Sequence, residues 1–196
     1  LGFRLYYIFK VPFFSSDGAY FNLRHSEYLS ENLLPLVYDP LSYGGNAILN
    51  THLFHYILGM MDIVLMQSIV YKVIPAVFAC SIVIMVYVLA KYVTKNESAA
   101  LFSGVLAAFV PSFVSLTLNQ IEILSLFVPL FLLAIYALLN LRKRKTLFLL
   151  LAAIIILLAP LDLLLIFSVL IFAVLLFAES EEIKRNEKEV IGLIAV

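Results

Sequence analysis

Charge is what this chain has least of. Asp, Glu, Lys and Arg make up 13% of its 196 residues, where a soluble domain carries about 25%. Hydrophobic residues make up 64%, more apolar surface than a soluble core of this length can hide. The 13 basic and 13 acidic residues cancel. No basic face interleaved with aromatics is present, which excludes a nucleic-acid partner. The single cysteine, Cys80, cannot form an internal disulfide and lies in an apolar run, so it reads as packing. No signal-peptide pattern is present. The chain opens on Leu1 and closes on the apolar "VIGLIAV". The expectation is a fragment, the N-terminal part of one transmembrane domain with later spans and any soluble domain missing.

Long apolar runs fill the rest. A spanning helix needs about 20 apolar residues. Residues 1–12 read as the end of a first span closed by Pro12, and further spans are expected at about 69–90, 99–116, 123–141, 146–160 and 163–178. Pro75, Pro111 and Pro129 are expected to kink helices, with neighbouring helices satisfying the freed backbone groups. The fold class is therefore all-α: a polytopic transmembrane helix bundle, with residues 13–62 as a long external first loop.

Lys and Arg set the orientation. Lys91, Lys95, Arg142, Lys143, Arg144, Lys145, Lys184, Arg185 and Lys188 fall on one side, and Arg4, Lys10, Arg24 and Lys72 on the other. The first side is expected to be cytoplasmic. Asp17, Glu27, Glu31, Asp39, Asp62, Glu122 and Asp162 then gather on the external face.

Within the external loop, "SDGAYFNLRHSEYLSENLL" reads as a helix ended by Pro35, and "AILNTHLFHYILGMM" as a second. Tyr20, Phe21 and Tyr28 suit a helix lying at the lipid–water interface. "DPLSYGGN" between the two is turn-rich. Asp17 reads as the N-cap of the first helix, and Arg24 as the partner of Glu27 or Glu31 at helical spacing. His52 and His55 lie three apart, but lack further ligands at a recognised spacing and read as solvated interfacial histidines. Glu122 ends a short polar break between two spans. It is either an acid at the start of a helix, favoured by the dipole, or a carboxylate facing water, a partner or a cation. Asp162 has the same alternatives. Two or three such carboxylates converging on one hard cation, Mn2+ or Mg2+, would make a site for a lipid-linked phosphate or diphosphate.

The stretch "SDGAYFNLRHSEYLSENLLPLVYDPLSYGGN", with Asp17, Tyr20-Phe21-Asn22-Leu23-Arg24, Asp39-Pro40 and Gly44-Gly45, resembles the first external loop of the catalytic subunit of oligosaccharyltransferase in its single-subunit archaeal and bacterial forms. "FVPSFVSLTLNQIEILSLF", with Gln120-Ile121-Glu122, is similar to that family's second external loop. The resemblance implies a C-type, metal-dependent glycosyltransferase. Such an enzyme moves a sugar or oligosaccharide from a polyprenyl phosphate or diphosphate donor to a protein asparagine at the external membrane face. It assigns Asp17 and Glu122 as catalytic residues and ligands of Mn2+ or Mg2+, and Arg24, Asn22 and Gln120 to substrate binding. Gln120 stands where the family has an acid, and Asn22 where it has histidine. The family's tryptophan-rich acceptor motif lies outside this stretch, so the fragment alone is expected to be inactive. A single-sugar transferase using a polyprenyl monophosphate is the alternative within the superfamily. A non-catalytic membrane scaffold and a transporter are alternatives of other classes. All share one partner, the lipid bilayer.

Overall fold

The computed structural model describes residues 1–41, 45–47, 53–158, 163–165, 167–169 and 171. The fold is all-α. The chain divides into two compact units, Leu1–Pro129 and Leu130–Val196.

The first unit begins with α1 (Gly2–Lys10). Pro12 follows its end, and Lys72 satisfies the carbonyls left open there. The Lys72 ammonium donates to Ile8 O at 3.3 Å, Val11 O at 3.2 Å and Pro12 O at 3.1 Å, a cation where the helix dipole is negative.

Helix α2 (Asp17–Asn32) is capped by Ser16, whose hydroxyl accepts from Ala19 N at 3.2 Å. Asp17 is the first helical residue, so the cap expected at Asp17 lies one position earlier. The helix ends at Leu33 in the left-handed conformation. Its buried residues Ala19, Asn22, His25, Ser26 and Leu29 follow helical spacing and form one face. That face packs on α3 (Leu53–Asp62), which buries Phe54, His55, Leu58 and Gly59. Gly59 makes the approach possible: a Cβ there would lie 2.9 Å from Ser26 O. His55, read from sequence as solvated, is only 2% exposed, because α3 turns it onto α2. Its sequence neighbour His52 lies outside the described residues. Tyr20, Phe21 and Tyr28 remain on the exposed side of α2.

Between α2 and α3, β1 (Tyr38–Asp39) pairs antiparallel with β2 (Asn46–Ala47). Asp39 is fully buried and forms an ion pair with Arg24. It also accepts from Leu41 N at 3.0 Å. Arg24 therefore pairs across the fold, instead of with Glu27 or Glu31 on its own helix. A fully desolvated carboxylate holds a guanidinium more strongly than acids that keep part of their contact with water.

A π-helical stretch, Ile69–Val73, runs into α4 (Ile74–Thr94). Pro75, the second residue of α4, offers no N–H to the carbonyl of Tyr71, four residues back. Together they make a 26-residue run, Ile69–Thr94, which among the described residues is the one helix long and apolar enough to cross a membrane. Asn96 caps α5 (Glu97–Ala108), which lies against α4 where Gly104 meets Val83 and Tyr87. The span expected at 99–116 is broken. Helices α5 and α6 (Pro111–Thr117) meet at a 48° bend. Pro111 has no N–H and disfavours helical ψ at the preceding residue, and Val110 accordingly has ψ 111°. Helix α7 (Leu124–Leu139) carries Pro129 inside it.

In the second unit, α8 (Leu141–Leu158) has non-helical backbone at Arg144. The expected span at 163–178 is described only at 163–165, 167–169 and 171, where it is helical.

Candidate active site

The N-terminal end of α2 is stitched to the loop between α6 and α7. Ser15 N donates to Asn119 O at 3.2 Å, and Asn119 Nδ2 donates to Phe13 O at 2.6 Å. Asn119 has φ 55°, a left-handed conformation that Asn tolerates better than most residues. Ser16 Oγ donates to Gln120 Oε1 at 3.0 Å, and Gln120 Nε2 donates to Ser115 O at 2.8 Å. Asn22 Nδ2 donates to Ile121 O at 2.6 Å. Since that side of the amide is the donor, Asn22 Oδ1 is the acceptor facing His55 Nε2 at 3.0 Å, and the proton sits on Nε2.

These bonds fix Glu122. It precedes α7 by two residues, yet its carboxylate rests on a different helix. Its Oε1 lies 3.1 Å from where a Cβ on Gly18 would stand, against the first turn of α2. Asp17, exposed, is the adjacent residue on the same turn. The Glu122 carboxylate therefore lies against the helical turn whose first residue is Asp17, where the helix end supplies about half a positive charge. Burial pushes the Glu122 carboxyl above its ordinary range, because removal from water penalises the charged form.

Compared with family models, curated proteins and solved structures, the chain matches none.

Of the residues singled out in the sequence, Asn22, Gln120 and Glu122 meet at this junction, and Asp17 is the residue before Gly18. Asn22 is 7% exposed, and both ends of its amide are engaged by Ile121 and His55. It positions the loop. Gln120 is likewise held at both ends by Ser16 and Ser115. Arg24 is bound to Asp39 and anchors the β1–β2 hairpin. Asp162 lies outside the described residues.

Of the carboxylates expected to converge, Glu122 reaches the first turn of α2, which begins at Asp17. Among the described residues no three of His, Cys, Asp and Glu come together as a metal cage.

A second acidic group was not legible in the sequence. Glu27 accepts from Gln67 Nε2 at 2.9 Å, and Asp62 accepts from Ser30 Oγ at 3.0 Å. Burial, then the charges of Asp62 and Glu31, hold the Glu27 carboxyl above its ordinary range. Gly18, a glycine in the first turn of a helix with an acid beside it, becomes informative only when the opposing loop is known.

Proposed function

We propose that this chain belongs to a multi-pass membrane glycosyltransferase of the C type. It transfers a sugar or oligosaccharide from a polyprenyl phosphate or diphosphate to a protein asparagine at the external face. The observation that carries the proposal is the placement of Glu122 against Gly18, beside Asp17. The two segments whose motifs resemble those of oligosaccharyltransferase are thereby held together by backbone and side-chain hydrogen bonds. Further support comes from the apolar run Ile69–Thr94 and the bent pair α5 and α6, which are consistent with a bundle of spans.

In this reading Asp17 and Glu122 would hold Mn2+ or Mg2+, which offsets negative charge developing on the departing phosphate. Asp17, on the exposed side, faces the incoming acceptor and donor. Glu122 is held by the loop that Asn22 and Gln120 brace. Gly18 leaves room for its carboxylate. Arg24 keeps the β1–β2 hairpin against α2 through Asp39.

The test is Asp17→Ala in the native membrane, assayed for transfer from a polyprenyl-diphosphate oligosaccharide to an asparagine-containing peptide. Transfer is expected to fall by about a hundredfold or more, the scale of losing one electrostatic contributor. Unchanged transfer at equal protein abundance would overturn the proposal. Transfer from a polyprenyl monophosphate sugar alone would favour the single-sugar reaction at the same residues.

A further inference from the structure

We propose that the groove between α1, α4 and the α5–α6 break holds an anionic phospholipid, with its phosphate on Arg4 and an acyl chain lying along α4. This goes beyond sugar transfer and does not depend on Asp17 or Glu122.

Arg4 is 8% exposed. Its Nη1 donates to Thr117 Oγ1 at 2.9 Å, and its guanidinium lies 5.9 Å from the centre of the Phe113 ring. Both partners are neutral, and no ion pair involves Arg4 among the described residues. A guanidinium carries five N–H donors, so most of its capacity is unused. A charged side chain within an apolar bundle is costly unless an anion or water meets it.

Arg4 also lines a cavity of about 620 Å³, together with Phe3, Cys80, Ile84, Ala108 and Phe109. It is the only charged residue of that lining.

The cavity has the polarity of a lipid. The end of α1, Lys72 and the 118–123 loop share one level, because Lys72 bonds the α1 carbonyls and Asn119 bonds Phe13 O. Thr117, which holds the guanidinium, is the last residue of α6 and adjoins that loop. The arginine head therefore points back toward the polar level while its stem lies among apolar side chains. Along α4 the groove is lined from Val77 to Ile84, roughly 10 Å of helix at about 1.5 Å per residue. A phosphate at the top and hydrocarbon below match this arrangement.

A second copy of the chain matches it less well. Helices α1, α4, α6 and α7 contain no Asp or Glu to meet Arg4.

The experiment reconstitutes the chain in phosphatidylcholine nanodiscs containing phosphatidylglycerol and counts retained lipid by native mass spectrometry. One phosphatidylglycerol is expected on the wild type. Arg4→Gln is expected to lower its occupancy at least about tenfold, the effect of losing a charge-assisted hydrogen bond. Arg4→Lys is expected to keep part of it. Ala108→Phe fills the groove with Arg4 intact and is expected to lose the lipid as well, which covers the case of Arg4→Gln failing to fold. Asp17→Ala is expected to retain it, separating this proposal from sugar transfer. Equal retention of phosphatidylcholine, or full retention in both Arg4→Gln and Ala108→Phe, would overturn it. So would displacement of the phosphatidylglycerol by one equivalent of polyprenyl phosphate, which would assign the groove to the sugar donor.

Discussion

Asn22 Nδ2 donates to Ile121 O at 2.6 Å, joining two residues 99 positions apart. Ile121 is fully buried, so water cannot replace the bond. The same amide faces His55, and one side chain therefore ties α2 to both α3 and the loop bearing Glu122.

Asn22→Ala is expected to cost about 1–3 kcal/mol, because it leaves a buried carbonyl unsatisfied. Asn22→Asp keeps an acceptor for His55 but sets a carboxylate against Ile121 O, and is expected to be the less stable of the two. Both variants loosen the Glu122 loop, so sugar transfer should fall even in samples that remain folded. Apparent melting midpoints in detergent, read beside transfer rates, check the order. Wild-type midpoints in both variants would show that the amide braces nothing.

Gly59 and Gly104 make a graded pair. A Cβ at Gly59 would stand 2.9 Å from backbone Ser26 O and 3.0 Å from Leu29 Cδ2, whereas one at Gly104 would meet Val83 O at 3.3 Å and Tyr87 Cβ at 3.4 Å. Backbone cannot swing aside as a side-chain end can. Gly59→Ala is therefore expected to cost about 1–3 kcal/mol, the range for overpacking, and Gly104→Ala less. Proteolysis of the α2–α3 segment in membranes should accelerate in Gly59→Ala alone. Equal sensitivity of the two variants would contradict this packing.

Glu122 predicts a pH dependence. Burial holds its folded pKa above the ordinary 4.5, so between those values the folded chain binds a proton that the unfolded chain has released. Stability from this group is present at low pH and falls as pH rises from 4.5 through the folded value. Glu27 is raised as well, but it contributes the same slope to the wild type and to a Glu122 variant. Glu122→Gln is thus expected to be the more stable protein at neutral pH without divalent metal. Added Mn2+ reverses the order, stabilising the wild type by about 2.7 kcal/mol at a hundred times its Kd and leaving the variant unmoved. Melting midpoints against pH, with and without Mn2+, measure both effects. Parallel curves for the two proteins would exclude a desolvated charge at this position.

The all-α character was legible in hydropathy, and among the described residues one helix, Ile69–Thr94, is long and apolar enough to cross a membrane. Pro12 was legible as a helix end, whereas Pro111, expected to kink a span at 99–116, separates two helices there. Partners were not legible. From sequence Arg24 has two acids at helical spacing, yet it binds Asp39, because the β1–β2 hairpin buries that carboxylate beside it. The cap expected at Asp17 belongs to Ser16, a one-residue shift that turns Asp17 from a ligand of its own helix into a free first-turn carboxylate. Glu122 read as an acid opening its own helix. Only the packing of the 118–123 loop on α2 carries it to Gly18.

The sequence by itself determined that the chain is helical, because that depends on local hydrophobicity; it did not fix every break, since the span expected at 99–116 divides at Pro111 and α8 runs through the basic residues 142–145. The tertiary structure decided which groups meet: Glu122 with Gly18 at the start of α2, and Arg4 with Thr117 above an apolar groove. Such pairings depend on long-range burial, which removes water and leaves each polar group to whatever partner the fold brings within reach.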